Sequence, residues 1–122
     1  MNRTTIIVAV IVLAAFMLMR HLGQARPEAV RAYLLKGARV IDVRTEEEFR
    51  AGHLDGTINI PLSDLTARIA AEAPDKDQPL LLHCASGARS GAARRMLAGL
   101  GYRNVLNLGS YARAERLTKP GP

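Results

Sequence analysis

The chain has 122 residues, 48% of them hydrophobic, a formal charge of +6, three Tyr, two Phe and no Trp. Setting aside an apolar head leaves about a hundred residues, enough for one domain with one core and too few for a second. Scarce aromatics and basic residues scattered from Arg26 to Lys119 argue against a nucleic-acid surface, which gathers its charge and often adds stacking rings.

Thr4 to Met19 carry no charged side chain, and counting to Leu22, with Arg20 reaching toward the head groups, gives nineteen residues, the minimum for crossing a bilayer. We therefore expect residues 1–25 to be a single-pass membrane anchor, with residues 4–22 in contact with the membrane, and residues 26–122 to be the domain. A cleaved signal peptide is the rival, although Gly23 and Ala25 form an indifferent cleavage site and a cation directly after the apolar run is unusual there. Arg20, Arg26 and Arg31 outweigh Arg3 and the amine, which leans toward a cytoplasmic domain; a signal peptide would place it in the periplasm or outside.

In the domain, Pro27 opens a helix that puts Val30 and Leu34 on one face and stops at Gly37. ARVIDVR has the β-branched density of a buried strand, ending in Asp42 and Arg44. Thr45 and Glu48 form a capping box at the start of TEEEFRAG, and a turn at Asp55 and Gly56 leads to a short strand near Ile58 to Ile60, ended by Pro61. SDLTARIAAEAP reads as a helix, Leu80 to His83 as an apolar strand, SGAARRMLAGLG as a helix with Ala93, Met96, Leu97 and Leu100 on one face, NVLNLG as the last strand and SYARAERL as a terminal helix. Alternation of this kind predicts an α/β fold with a central, mainly parallel sheet and helices on both faces.

Cys84 is the single cysteine, which excludes an internal disulfide and a multi-thiolate metal site, so no metal or cofactor is expected. It falls where a buried strand ends before a helix, the edge at which open α/β sheets bind ligands. Ala85, Ser86, Gly87 and Ala88 are small enough for the backbone to curl and aim several N–H groups at one centre. With the positive end of the next helix and Arg89, such a nest would stabilise a thiolate, the nucleophilic form. An isolated cysteine at a strand end is most often a small buried hydrophobe; the loop and Arg89 shift the balance toward chemistry.

IDVRTEEEFRAGHLDGTINIPL, LLHCASGARS and MLAGLGYRNVLNLG together resemble a rhodanese-like domain over about residues 28 to 110, in a layout similar to the small phage-shock-type rhodaneses. Thr57 stands where the family often has Ala, and Gly109, Ser110 and Tyr111 replace a frequent double Gly. The resemblance implies a sulfurtransferase in which Cys84 takes the sulfane sulfur of thiosulfate or a similar anion, becomes a persulfide, and passes the sulfur to cyanide or a thiol, including a protein thiol. It further implies that the backbone of Ala85, Ser86, Gly87, Ala88, Arg89 and Ser90 holds the sulfur and donor oxygens, and that Asp42 and Arg44 order the loop. His83 is expected to be a packed residue and His53 a turn residue, since a thiolate needs no base.

Two rivals remain at this level. A related phosphatase or arsenate reductase would place Arg six residues after Cys, whereas Arg89 is five after Cys84. A membrane-tethered persulfide relay or protein-binding module could keep the fold without turning over small substrates.

Overall fold

The computed structural model describes residues 1–120. Its elements run α1 (Arg3–Leu22), α2 (Pro27–Leu35), β1 (Arg39–Asp42), α3 (Glu46–Ala51), β2 (Ile58–Asn59), α4 (Leu65–Glu72), β3 (Leu80–His83), α5 (Ala88–Gly99), β4 (Val105–Gly109) and α6 (Tyr111–Thr118). The four strands form one sheet in the order β2-β1-β3-β4, and every pairing is parallel. Consecutive strands thus need crossovers, and the helices that provide them cover both faces.

One face carries Ile41, Leu80 and Leu82 against Leu65 and Ile69 of α4 and Ala93 and Leu97 of α5. The other sets Leu81 and Leu108 against Val30 of α2 and Ala114 of α6. The alternation of Leu80 and Leu82 with Leu81 is the period-two geometry of a strand buried on both sides, which is why this segment reads as continuous apolar sequence. Central β3 is fully buried along its length.

Most expected elements fall where the sequence places them, and the differences have local causes. α5 begins at Ala88, two residues before Ser90, because Gly87 takes φ 97° as its N-cap and turns the chain early. Leu100, expected on the buried face, is the C-cap and is exposed. The segment after Pro61 enters α4 through one 3-10 turn, Leu62–Asp64. The terminal helix forms despite the altered glycine pattern, because the Ser110 side chain accepts the Arg113 N–H at its start.

No residue of α1 is buried. It is long and apolar enough to cross a membrane. The domain starts almost at once after it: Ala25 is buried, and its N–H donates to the Asn107 carbonyl at 2.8 Å.

Because Leu82 is fully buried at the centre of the sheet, Leu82→Ala should cost about 3 kcal/mol through lost burial and the cavity left behind. Denaturant unfolding followed by circular dichroism checks this.

Candidate active site

β3 ends at His83, so Cys84 stands at the carboxyl edge of the sheet. At that edge β4 bulges: Leu82 pairs with Asn107 but His83 pairs with Gly109. The extra residue swings the end of β4 beneath the following loop, a common use of bulges near functional sites. The loop is then stitched to it, with the Cys84 N–H donating to the Gly109 carbonyl at 3.2 Å, the Tyr111 N–H donating to the Ala85 carbonyl at 3.2 Å, and an isolated bridge pairing Ser86 with Ser110.

Within this frame the loop closes on the sulfur. The Gly87 N–H donates to Cys84 Sγ at 3.0 Å, the Ser90 N–H at 3.5 Å and the Ser90 hydroxyl at 3.4 Å. Gly87 makes the turn possible: its φ of 97° suits glycine, and a Cβ there would meet the Gly109 backbone at 3.2 Å. Burial pushes the Cys84 thiol up, but donors from Ser90 (side chain and backbone), Gly87 and Ser86 outweigh it and leave the pKa below the ordinary thiol value.

Of the expected cradle, Gly87 and Ser90 hydrogen-bond the sulfur, and the Ser86 amide makes only a weak contribution to lowering its pKa. Among the described residues, no hydrogen bond joins the amides of Ala85, Ala88 or Arg89 to it. Ala88 and Arg89 open α5, where N–H groups have no partner within the helix. They therefore offer donors beside the sulfur.

Arg89 lies at the mouth of the loop and grips Glu48 with both terminal guanidinium nitrogens, Nη1 and Nη2, at 2.6 and 2.9 Å. Its pKa is raised first by that carboxylate, with a smaller contribution from Cys84. Glu48 Oε1, which meets Arg89 Nη1, also accepts the Thr45 N–H at 3.1 Å, completing the capping box of α3. Arg89 and Thr45 together hold the Glu48 carboxyl down to about 2, so it is ionised at neutral pH. Sequence reasoning gave Glu48 only its local capping role. The capping spacing is visible in the sequence, but a contact with a residue forty-one positions away is not.

Asp42 and Arg44 form a buried pair behind the loop. Arg44 Nη2 lies 2.8 Å from Asp42 Oδ2 and also donates to the Gly52 carbonyl at 2.8 Å, while its backbone N–H donates to Asp42 Oδ1 at 2.9 Å. The Arg44 guanidinium also sits 4.8 Å from the centre of the Tyr111 ring. Neither residue touches the sulfur; both fix the β1–α3 corner that presents Glu48. His83 is fully buried and its Nε2 has no hydrogen-bond partner among the described residues. Burial pushes its pKa down despite Asp42 nearby, so it is a neutral packed side chain. His53 is exposed, stacks on Phe49 at 3.8 Å and donates from Nδ1 to the Phe49 carbonyl.

Two further contacts at the loop were not anticipated. Arg20, at the end of α1, donates to the Ser86 carbonyl. The Gln24 side chain lies so close over Gly109 that a Cβ there would come within 2.7 Å of its Nε2. A cavity of about 350 Å³ lined by Val43, Thr45, Leu62 and Arg89 opens beside the loop.

A parallel α/β sheet with a lone, acidified thiol in an N–H cradle at its carboxyl edge defines a class of small thiolate-bearing domains. The family model for the rhodanese-like domain matches residues 26–113, and the chain belongs to that family. It is 42% identical over 69 residues to thiosulfate sulfurtransferase PspE of Escherichia coli, covering 57% of this chain and 66% of that protein. It is 35% identical over 100 residues to the thiosulfate:glutathione sulfurtransferase of Homo sapiens, covering 71% and 84%. Among solved structures, an E. coli rhodanese with anions superposes with a TM-score of 0.60 at 38% identity, covering 62% of this chain and 89% of that one. The chain spans 66% and 55% of the length of two of its curated relatives, the E. coli enzyme and the Bacillus subtilis protein YqhL.

If the Ser90 hydroxyl stabilises the thiolate, Ser90→Ala should slow iodoacetamide alkylation of Cys84 at pH 7 by about tenfold, corresponding to about 1.4 kcal/mol. The pH midpoint of the reaction should move upward by the same measure, as read from rate against pH.

Proposed function

We propose that this protein is a thiosulfate sulfurtransferase whose domain, residues 26–122, is tethered to a membrane by residues 1–25. The observation that carries the reading is the single thiol at the focus of the Gly87 and Ser90 donors, with its pKa lowered. The names of the E. coli and human relatives supply the substrate class.

In the first step the Cys84 thiolate attacks the sulfane sulfur of thiosulfate. A sulfur–sulfur bond forms to Cys84 as the bond to the sulfonate sulfur breaks, and that electron pair leaves with sulfite. The persulfide anion that remains has its outer sulfur where the Ala88 and Arg89 amides and the α5 N-terminus favour negative charge. In the second step a thiolate, including one on a protein, or cyanide attacks the outer sulfur. The Cys84 thiolate is released and needs no resolving cysteine.

Arg89 supplies cationic charge at the entrance, but Glu48 occupies both of its forks. An incoming dianion must compete with that carboxylate. Asp42 and Arg44 support the site by position, holding the corner from which Glu48 reaches the loop.

The anchor reading rests on the length and apolar character of α1, on the absence of any buried residue along it, and on its junction with the domain. Only Gly23 and Gln24 separate Leu22 from the buried Ala25.

Intact mass spectrometry of the full chain in neutral detergent, after incubation with thiosulfate, tests the reaction. The chain should gain one sulfur atom with stoichiometric sulfite release, and Cys84→Ser should gain none. A wild-type chain that gains no sulfur overturns the reading.

Glu48→Gln keeps a capping side chain on α3 but removes the charge that holds Arg89. We expect the KM for thiosulfate to fall by up to about fivefold at low salt, the scale of a half-exposed ion pair, with the thermal midpoint little changed. Steady-state kinetics with thiosulfate as the varied substrate gives the comparison.

A further inference from the structure

We propose that the groove between α1 and α5 binds the phosphate headgroup of an anionic membrane phospholipid; this rests on the reading of α1 as a membrane anchor. The groove has a volume of about 410 Å³ and is lined by Phe16 and Met19 of α1, Gly91 of α5, and three arginines, Arg20, Arg94 and Arg95. No acidic residue lines it. Arg94 and Arg95 are exposed, and among the described residues none of the three arginines pairs with a carboxylate. Arg94 is oriented by its Nε–H, which donates to the Val105 carbonyl at 3.1 Å.

The position of this groove is set by the junction. The Ala25 N–H donates to the Asn107 carbonyl, Arg113 donates to the Ala25 carbonyl, and Arg20 donates to the Ser86 carbonyl. Two residues of intervening chain reach at most about 10 Å between the ends they join. With α1 in the bilayer, the domain is held against the point where the helix leaves the hydrocarbon, which would bring Arg94 and Arg95 to the depth of the headgroups. A phospholipid matches the lining in both its parts: phosphate on the arginines, and the start of an acyl chain along Phe16 and Met19. A free phosphate would use only the first part.

The test uses the full chain in a neutral detergent, titrated with phosphatidylglycerol or phosphatidylcholine and read by native mass spectrometry. Phosphatidylglycerol should bind one per chain, more tightly than phosphatidylcholine by about tenfold or more, since each basic residue near an anionic surface contributes severalfold. Arg94→Gln with Arg95→Gln should abolish that preference. Arg95→Gln alone, which breaks no internal hydrogen bond among the described residues, should reduce it. Lys36→Gln with Arg116→Gln, which removes the same charge outside the groove, should leave it intact. Turnover of thiosulfate in detergent should be unchanged in these variants and reports that each has folded.

Equal affinity for the two lipids, or a preference insensitive to Arg94 and Arg95, overturns the proposal. So does displacement of the lipid by millimolar inorganic phosphate, which would mark a site for soluble anions. Alkaline carbonate extraction from vesicles separates the two layers of inference. A chain that washes off removes the anchor and the lipid site together, whereas one that stays but shows no lipid preference removes the lipid site alone.

Discussion

The donors around Cys84 offset the cost of ionising a sulfur inside the protein. A thiolate taken out of water is penalised, and burial alone would make this thiol less acidic than in solution. The loop reverses the sign by turning backbone N–H groups and the Ser90 hydroxyl inward. Backbone donors are suited to this because a closed loop fixes them before any charge develops, so little reorganisation is needed when the sulfur gains or loses its negative charge.

A cradle made of backbone must be held in shape from outside, and the rest of the domain supplies the hold. Beneath it, the bulge in β4 brings Gly109 against the loop, and the Asn107 side chain accepts the Gly109 N–H at 2.9 Å, fixing the bulge. At the front, the Asp42–Arg44 pair sets the corner from which Glu48 reaches Arg89. Removing one member of a buried ion pair leaves the other uncompensated, so this corner is stiff. The Glu48–Arg89 contact is half exposed, weaker and within reach of solvent. Rigid charge thus stands behind the site and exchangeable charge at its mouth, the order needed if anions are to enter without disturbing the cradle.

The fold was legible because its strands are short apolar runs between helices with marked caps. Thr45 with Glu48, Pro27 and the glycines after the helices punctuate the chain locally, and β3 betrays its central position by having no polar residue before His83. The cradle was legible in outline, since a small-residue loop between strand and helix can only curl. Which amides reach the sulfur was not, because that depends on Gly87 being the turning point and on α5 starting at Ala88. The long-range partners were invisible for a related reason. Glu48 and Arg89 lie on segments brought together by parallel crossovers, whereas Gln24 over Gly109 and Arg20 to Ser86 depend on how the end of α1 docks on the domain, and no local periodicity encodes such contacts.

On the proposed reading of α1 as an anchor, its junction with the domain ties location to chemistry. A long linker would let the domain tumble and sample solvent freely, with the membrane serving only to raise its concentration near the surface. Two residues do not permit that. Gln24 packs on Gly109, the residue whose carbonyl accepts the Cys84 N–H, and Arg20 caps Ser86 from the other side. The end of the apolar helix is thereby part of the wall of the sulfur site. As the proposed membrane anchor, this helix would restrict which acceptors can approach. Acceptors presented close to the membrane plane would then meet the outer sulfur of the proposed persulfide without leaving the surface, while bulky soluble partners would have to fit between the domain and the headgroups.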